Sequence, residues 1–202
     1  MATVVKARYR RVSSASGKAA AGMSSLDYFA GRPDRDMQRM DREILTAEGR
    51  YRLERDGEQA RQQLSKELEA SKGQYLHTLV LSSGNQDMTR LETERWARNV
   101  LEQSKIDSYM LVVHAGKEGH TQNPHAHVLV PTNRPLTVPQ LEEMRRVGDR
   151  EQDLMLKVEY GLKRDVQDVS STPKGGGGKE IENTAADDTP KRSTQVDLQF
   201  GS

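Results

Sequence analysis

YMLVVHAGKEGHTQNPHAHVLV, residues 109–130, is two apolar runs around a polar loop. Tyr109 to His114 is a short, mostly apolar run of the kind that forms a buried strand. His125 to Val130 is a second. The polar segment 115–124 between them is long enough for a hairpin-type connection, so the two strands are expected to be antiparallel neighbours. His125 and His127 are two apart, and side chains at i and i+2 of a strand point to the same face. His114 closes the preceding strand. If the strands pair, all three imidazoles meet, and three neutral imidazoles are a divalent-metal donor set. His120 lies mid-loop and is set aside as exposed and not a ligand. His77 is the fifth histidine of the chain.

Outward from this segment the chain alternates strand and helix patterns. Residues 3–12 alternate apolar with basic side chains and predict a strand with one wet, positive face. Residues 13–22 are small and polar and suggest a loop. A short helix is expected over 23–30, ended by Pro33. Residues 36–71 are rich in Arg, Glu, Gln and Leu and predict helix, broken near Gly49 or Gly57. YLHTLVLS (75–82) predicts a strand. Asp87 is a candidate N-cap for an amphipathic helix running to about Ser104. Helix returns from Thr137 to about Asp165, with Pro139 near its start, where proline is tolerated. Four strands are thus clear, at 3–12, 76–82, 109–114 and 125–130; a fifth is not identifiable. Tyr9, Tyr75 and Tyr109 lie on expected strands, where packing is their expected role.

The 202 residues suit one domain, and 34% hydrophobic content is low for a chain wholly in a core. Four consecutive glycines at 175–178 begin a polar stretch, so 1–168 is expected to be the domain and 169–202 a disordered tail or linker. There is no cysteine, which excludes disulfides and thiolate metal sites. No apolar run is long enough for a membrane span, and the N-terminus lacks a signal-peptide core. A cytoplasmic protein without membrane partners is expected. Net charge is only +1, but the basic residues cluster. Lys6, Arg8, Arg10, Arg11, Lys18, Arg32 and Arg35 face only Asp27 and Asp34 within the first 35 residues, a pattern suited to phosphate contacts. A solvated charged segment would look the same.

The segment 109–130, with its strand-ending His114 and its Asn-Pro-His-Ala-His group at 123–127, resembles the third motif of plasmid mobilisation relaxases, a branch of the HUH endonucleases. The resemblance implies metal ligation by His114, His125 and His127, with Mg²⁺ or Mn²⁺ as the ion and Zn²⁺ as an alternative. A second stretch, AAAGMSSLDYFAGRPDRDM at 19–37, is similar to the motif that carries the catalytic tyrosine in these enzymes, and so implies Tyr28 as nucleophile with Arg32 nearby. The implied fold is α+β in two layers, a central antiparallel sheet of about five strands with flanking helices. The implied reaction is nicking of single-stranded DNA at an origin of transfer beside a hairpin, through a covalent 5′-phosphotyrosine. Accessory relaxosome proteins are the further partners it implies. A phenol has an ordinary pKa near 10 and needs help to lose its proton. His77 is the candidate base, with Asp27 and Asp87 behind it. Arg8, Arg10, Arg11, Lys18, Arg32 and Arg35 are the candidate DNA contacts.

Two rival readings use the same histidines. A rolling-circle replication initiator or transposase would place its tyrosine after the histidine pair, where Tyr160 stands. A histidine-ligated hydrolase of a small substrate would leave the basic arm and the Tyr28 motif without a role. Tyr51, between two arginines, is the remaining rival nucleophile.

Overall fold

The computed structural model describes residues 2–116, 119 and 121–170, and for 159–170 the backbone path alone. His120 and residues 171–202 of the tail expected over 169–202 lie outside the described residues, and the side chain of Tyr160 does too. The elements run β1 (Val4–Arg11), α1 (Ala15–Gly31), β2 (Ile44–Leu45), β3 (Arg50–Tyr51), α2 (Gly57–Ala70), β4 (Tyr75–Ser82), α3 (Arg90–Gln103), β5 (Met110–His114), β6 (His125–Thr132) and α4 (Val138–Ser170). The strands form one sheet in the order β1-β4-β6-β5-β2-β3. Every pairing is antiparallel. The α+β class and the central antiparallel sheet are as expected.

Each face of the sheet carries its own core. One face gathers Leu76, Met110, Val112, Leu129 and Ile44 under Leu26 and Phe29 of α1 and Leu64 and Leu68 of α2. The other gathers Leu79, Leu81, Leu111, Val113, Ala126 and Val128 under Trp96 and Leu101 of α3 and Met144 and Val147 of α4. Helices therefore cover both faces, and the layers number three rather than two.

The largest departure from the sequence reading is α1. Its first two turns, expected as loop, are helix, capped by Ser14 Oγ accepting from the Gly17 N–H at 3.0 Å. At Gly22 the residue is small because the helix is wedged there. A Cβ on Gly22 would lie 2.6 Å from Leu68 Cδ1 and 3.2 Å from Leu129 Cδ2. The buried positions Lys18, Ala19, Gly22, Leu26, Phe29 and Ala30 recur at helical spacing.

The expected helix over 36–71 forms only in its second part, as α2. Its first part is an irregular segment followed by the β2–β3 hairpin, which adds two short strands to the four expected. Ile44 and Leu45 are fully buried, and burying extended backbone beside β5 satisfies their peptide groups in a ladder. The hairpin is held to α3 by Arg50, which donates to both oxygens of the buried Glu94 carboxylate. Thr89, not Asp87, caps α3, in a reciprocal capping box with Glu92. α4 continues to Ser170, beyond the expected helix end and across the expected boundary at 169. No helix among the described residues is long and apolar enough to cross a membrane.

Candidate metal centre and its surroundings

Strand pairing assembles the histidines. In the β5–β6 register His114 stands opposite His125 and Val112 opposite His127, so all three imidazoles share the α1–α2 face. Their candidate ligand nitrogens lie within 4.8 Å of one another, and all three residues are buried. The ring centroids are 5.1 Å apart for His114–His125, 4.8 Å for His114–His127 and 5.2 Å for His125–His127. This is the one group of three or more potential metal ligands found among the described residues.

The donor chemistry fits a divalent ion. His125 Nδ1 is 2.8 Å from the Asn123 carbonyl oxygen. A carbonyl only accepts, so Nδ1 carries the proton and Nε2 the lone pair, which is the usual way a backbone group orients a ligating histidine. Burial lowers the pKa of His125 against the raising effect of that carbonyl, and the charges of Arg32 and Arg42 lower it further. The neutral, ligating form is therefore favoured. An imidazole set is compatible with Mg²⁺ or Mn²⁺ completed by oxygen ligands, and with Zn²⁺.

α1 brings its C-terminal turn over this cluster. Phe29 stacks on His127, with centroids 4.5 Å apart and planes at 16°. Tyr28 is its chain neighbour, the two rings meeting edge-on at 6.0 Å. Tyr28 is more than half exposed, and the Arg32 guanidinium sits 5.5 Å from its ring centroid. The Asp27 carboxylate, a further candidate base, is held bidentately by Arg61 at 2.8 and 3.1 Å. Asp87 is exposed in the β4–α3 loop, its N–H bonded to Asn85.

His77 requires a correction. In register it opposes Val130 and Tyr9, and therefore points to the α3–α4 face, with the sheet between it and the three histidines. Its Nε2 accepts from the Leu136 N–H at 3.3 Å, and burial lowers its pKa. A period of two put it on the wrong side for a base acting on Tyr28. Tyr9 is also corrected: it is exposed, edge-on to Tyr75 at 5.7 Å.

The basic residues divide. Lys18 is buried, and its ammonium donates to the carbonyls of Ser71 and Gly73, where α2 ends and turns into β4. It neutralises a helix C-terminus and does not face a ligand; burial lowers its pKa. Arg11 donates to Gln74 at 3.1 and 3.2 Å, at the far end of β1. Arg35 is exposed in the segment after α1. Arg8 and Arg10, with Ser24, Ser25, Tyr28 and Thr78, line a groove of about 550 Å³ between α1 and the β1–β4 edge of the sheet. Lys6, which the sequence reading did not rank as a contact, lies on the same face in the cross-strand row of Val80 and His127.

Tyr51 is partly buried on β3, its hydroxyl donating to Glu67 at 3.4 Å. Burial and the Glu67 carboxylate raise its pKa, which disfavours the phenolate. Arg42 was not singled out by the sequence, being one arginine among many in a segment read as surface helix. It is almost fully buried. Comparison of the chain with protein-family profiles, with curated proteins and with solved structures returns no match.

Proposed function

We propose that this chain is a metal-dependent nickase of single-stranded DNA, of the relaxase type, with Tyr28 as its nucleophile. The observation that supports it most is the seating of the Tyr28 turn on the histidine cluster through Phe29 and His127. A divalent ion held by His114, His125 and His127 would supply electrophilic activation of a phosphodiester.

The chain's own residues do the rest. Tyr28 Oη forms a bond to phosphorus while the bond from phosphorus to the 3′-oxygen breaks. The phenol gives up its proton, and the departing 3′-oxygen takes one up as a hydroxyl. One phosphoester replaces another, so the step can run backwards and rejoin the strand. Arg8 and Arg10 in the adjoining groove bind backbone phosphates, which positions a strand without reading its bases. His77 takes no part. In this reading the substrate is the single strand at an origin of transfer and the role is plasmid mobilisation.

A randomised single-stranded DNA pool, labelled on its 3′ side, is incubated with the protein and Mn²⁺ and resolved under denaturing conditions. A labelled protein band is expected from the wild type and from Tyr160→Phe, and none from Tyr28→Phe or after chelation. A band that survives Tyr28→Phe and disappears with Tyr160→Phe assigns the chemistry to the downstream tyrosine and rejects this reading.

A further inference from the structure

The last turn of α1 carries Tyr28 and Phe29, yet that turn contains no basic residue of its own. The final carbonyls of a helix have no partner within it and need donors from elsewhere. Arg42 supplies them. Its backbone N–H donates to the Ala30 carbonyl at 3.2 Å. Its guanidinium Nη1 donates to the same carbonyl at 3.3 Å and also to the carbonyl of Arg32, the C-cap. One buried residue thus holds two carbonyls that bracket the end of the helix.

Arg42 also belongs to the sheet side of the site. Ile44 pairs with Val112 in the antiparallel β2–β5 register. Ile44, two residues after Arg42, thus lies on the face of the three histidines, and the Arg42 charge is felt at His125. The residue that grips the helix end therefore also acts on the cluster side of the sheet. A neutral donor could satisfy the same carbonyls with a smaller desolvation cost. A guanidinium adds a planar, rigid fork and a fixed charge.

We propose that Arg42 is a positioning residue, clamping the C-terminal turn of α1 so that Tyr28 is held at a set height over the histidine cluster. The role deepens the nicking reading and rests on it. Its role is positioning, exercised through the backbone carbonyls at the end of α1 that it holds. A displacement of about 1 Å at a reacting group can cost about 100-fold in rate, so the clamp is worth more to the rate than to binding.

The test uses the full chain and the variants Arg42→Lys and Arg42→Met. In the metal-free protein, amide exchange over residues 28–32 is expected to speed up about tenfold in Arg42→Met, equivalent to about 1.4 kcal/mol of lost local protection, while the first turns of α1 keep theirs. Arg42→Lys is expected to recover part of that protection. Mn²⁺ affinity should not fall in Arg42→Met, since the ligands lie on β5 and β6 and the substitution removes a positive charge felt at His125. Single-turnover adduct formation at saturating DNA should fall about 100-fold in Arg42→Met, with DNA affinity little changed and partial rescue by Arg42→Lys. If the wild type forms no adduct, the nicking reading fails while the exchange result still judges the clamp. If the wild type forms adduct and Arg42→Met matches it in rate and in exchange, the inference is overturned. Protection lost evenly along the whole chain also overturns it, because the residue is then only part of the core.

Discussion

Phe29 and His127 lie face to face, with ring centroids 4.5 Å apart and planes 16° from parallel. One belongs to a helix and the other to the central strand of the histidine cluster, 98 positions further along the chain. The stack joins the helix that carries Tyr28 to the strand that carries two of the three histidines. It also dries one side of the cluster, since Phe29 is almost fully buried.

Removing that ring should therefore act on both partners. Phe29→Ala is expected to lower unfolding stability by about 3–5 kcal/mol, as loss of a buried aromatic does. Phe29→Leu should cost less and keep the cluster dry. Urea unfolding gives the stability, and isothermal titration with Mn²⁺ gives the effect on the site. Equal metal affinity in wild type and Phe29→Ala would show that the stack does not orient His127.

Metal binding should raise the melting temperature, because a ligand that binds only the folded state stabilises it. At a free ion concentration of about 100 times Kd the gain is about 2.7 kcal/mol. His114→Ala, His125→Ala and His127→Ala should each remove the effect, and EDTA should reverse it in the wild type. His77→Ala should retain it, because that side chain points to the opposite face. A thermal shift that survives any of the three cluster substitutions would place the ion elsewhere.

Acid should destabilise the metal-free protein. Burial lowers the pKa of both His77 and His125. The unfolded chain then takes up protons near pH 6.5, where the folded chain still resists them. Stability contributed by the neutral forms is present above about pH 6.5 and is lost as the pH falls through the lower folded values. Unfolding curves from pH 8 to pH 5 should show this decline. His77→Leu should flatten part of it, and a decline identical to wild type would mean that His77 carries none of the linkage.

The basic residues should separate cleanly into two kinds. Arg8→Ala and Arg10→Ala should weaken binding to single-stranded DNA, each reducing the salt slope by about 0.7 per lost phosphate contact. Lys18→Met should leave DNA affinity unchanged and lower stability by about 1–3 kcal/mol, because the carbonyls of Ser71 and Gly73 lose their donor. Fluorescence anisotropy against salt concentration, paired with denaturant unfolding, distinguishes the two. A salt slope changed by Lys18→Met would return it to the DNA-facing set.

Much of the candidate site was legible along the chain because its determinants are local. The period of two that places His125 and His127 on one face depends only on strand geometry, and the apolar runs around them announce the strands. The pairing of His114 with His125 needed one further assumption, an antiparallel neighbour, and the loop length made it a natural one. The helix α1 was half missed because small residues at 15–22 carry no apolar period, and the smallness of Gly22 serves contacts with Leu68 and Leu129 that are distant in sequence.

What tertiary structure alone decided concerns faces and burial. Residues in neighbouring strands share a face only according to register, and register is a relation between segments. That is why His77, on a confidently expected strand, falls behind the sheet. Charge is likewise read from composition, but whether a charge meets solvent or a carbonyl is settled by packing. Lys18 and Arg42 look like their neighbours in sequence, yet both are enclosed against helix ends. For residues 109–130, then, the histidine spacing was enough to indicate a candidate metal site, and the structure brings its three histidines together. Its relation to Tyr28 came from the wedge of α1 over β6, which brings Phe29 onto His127.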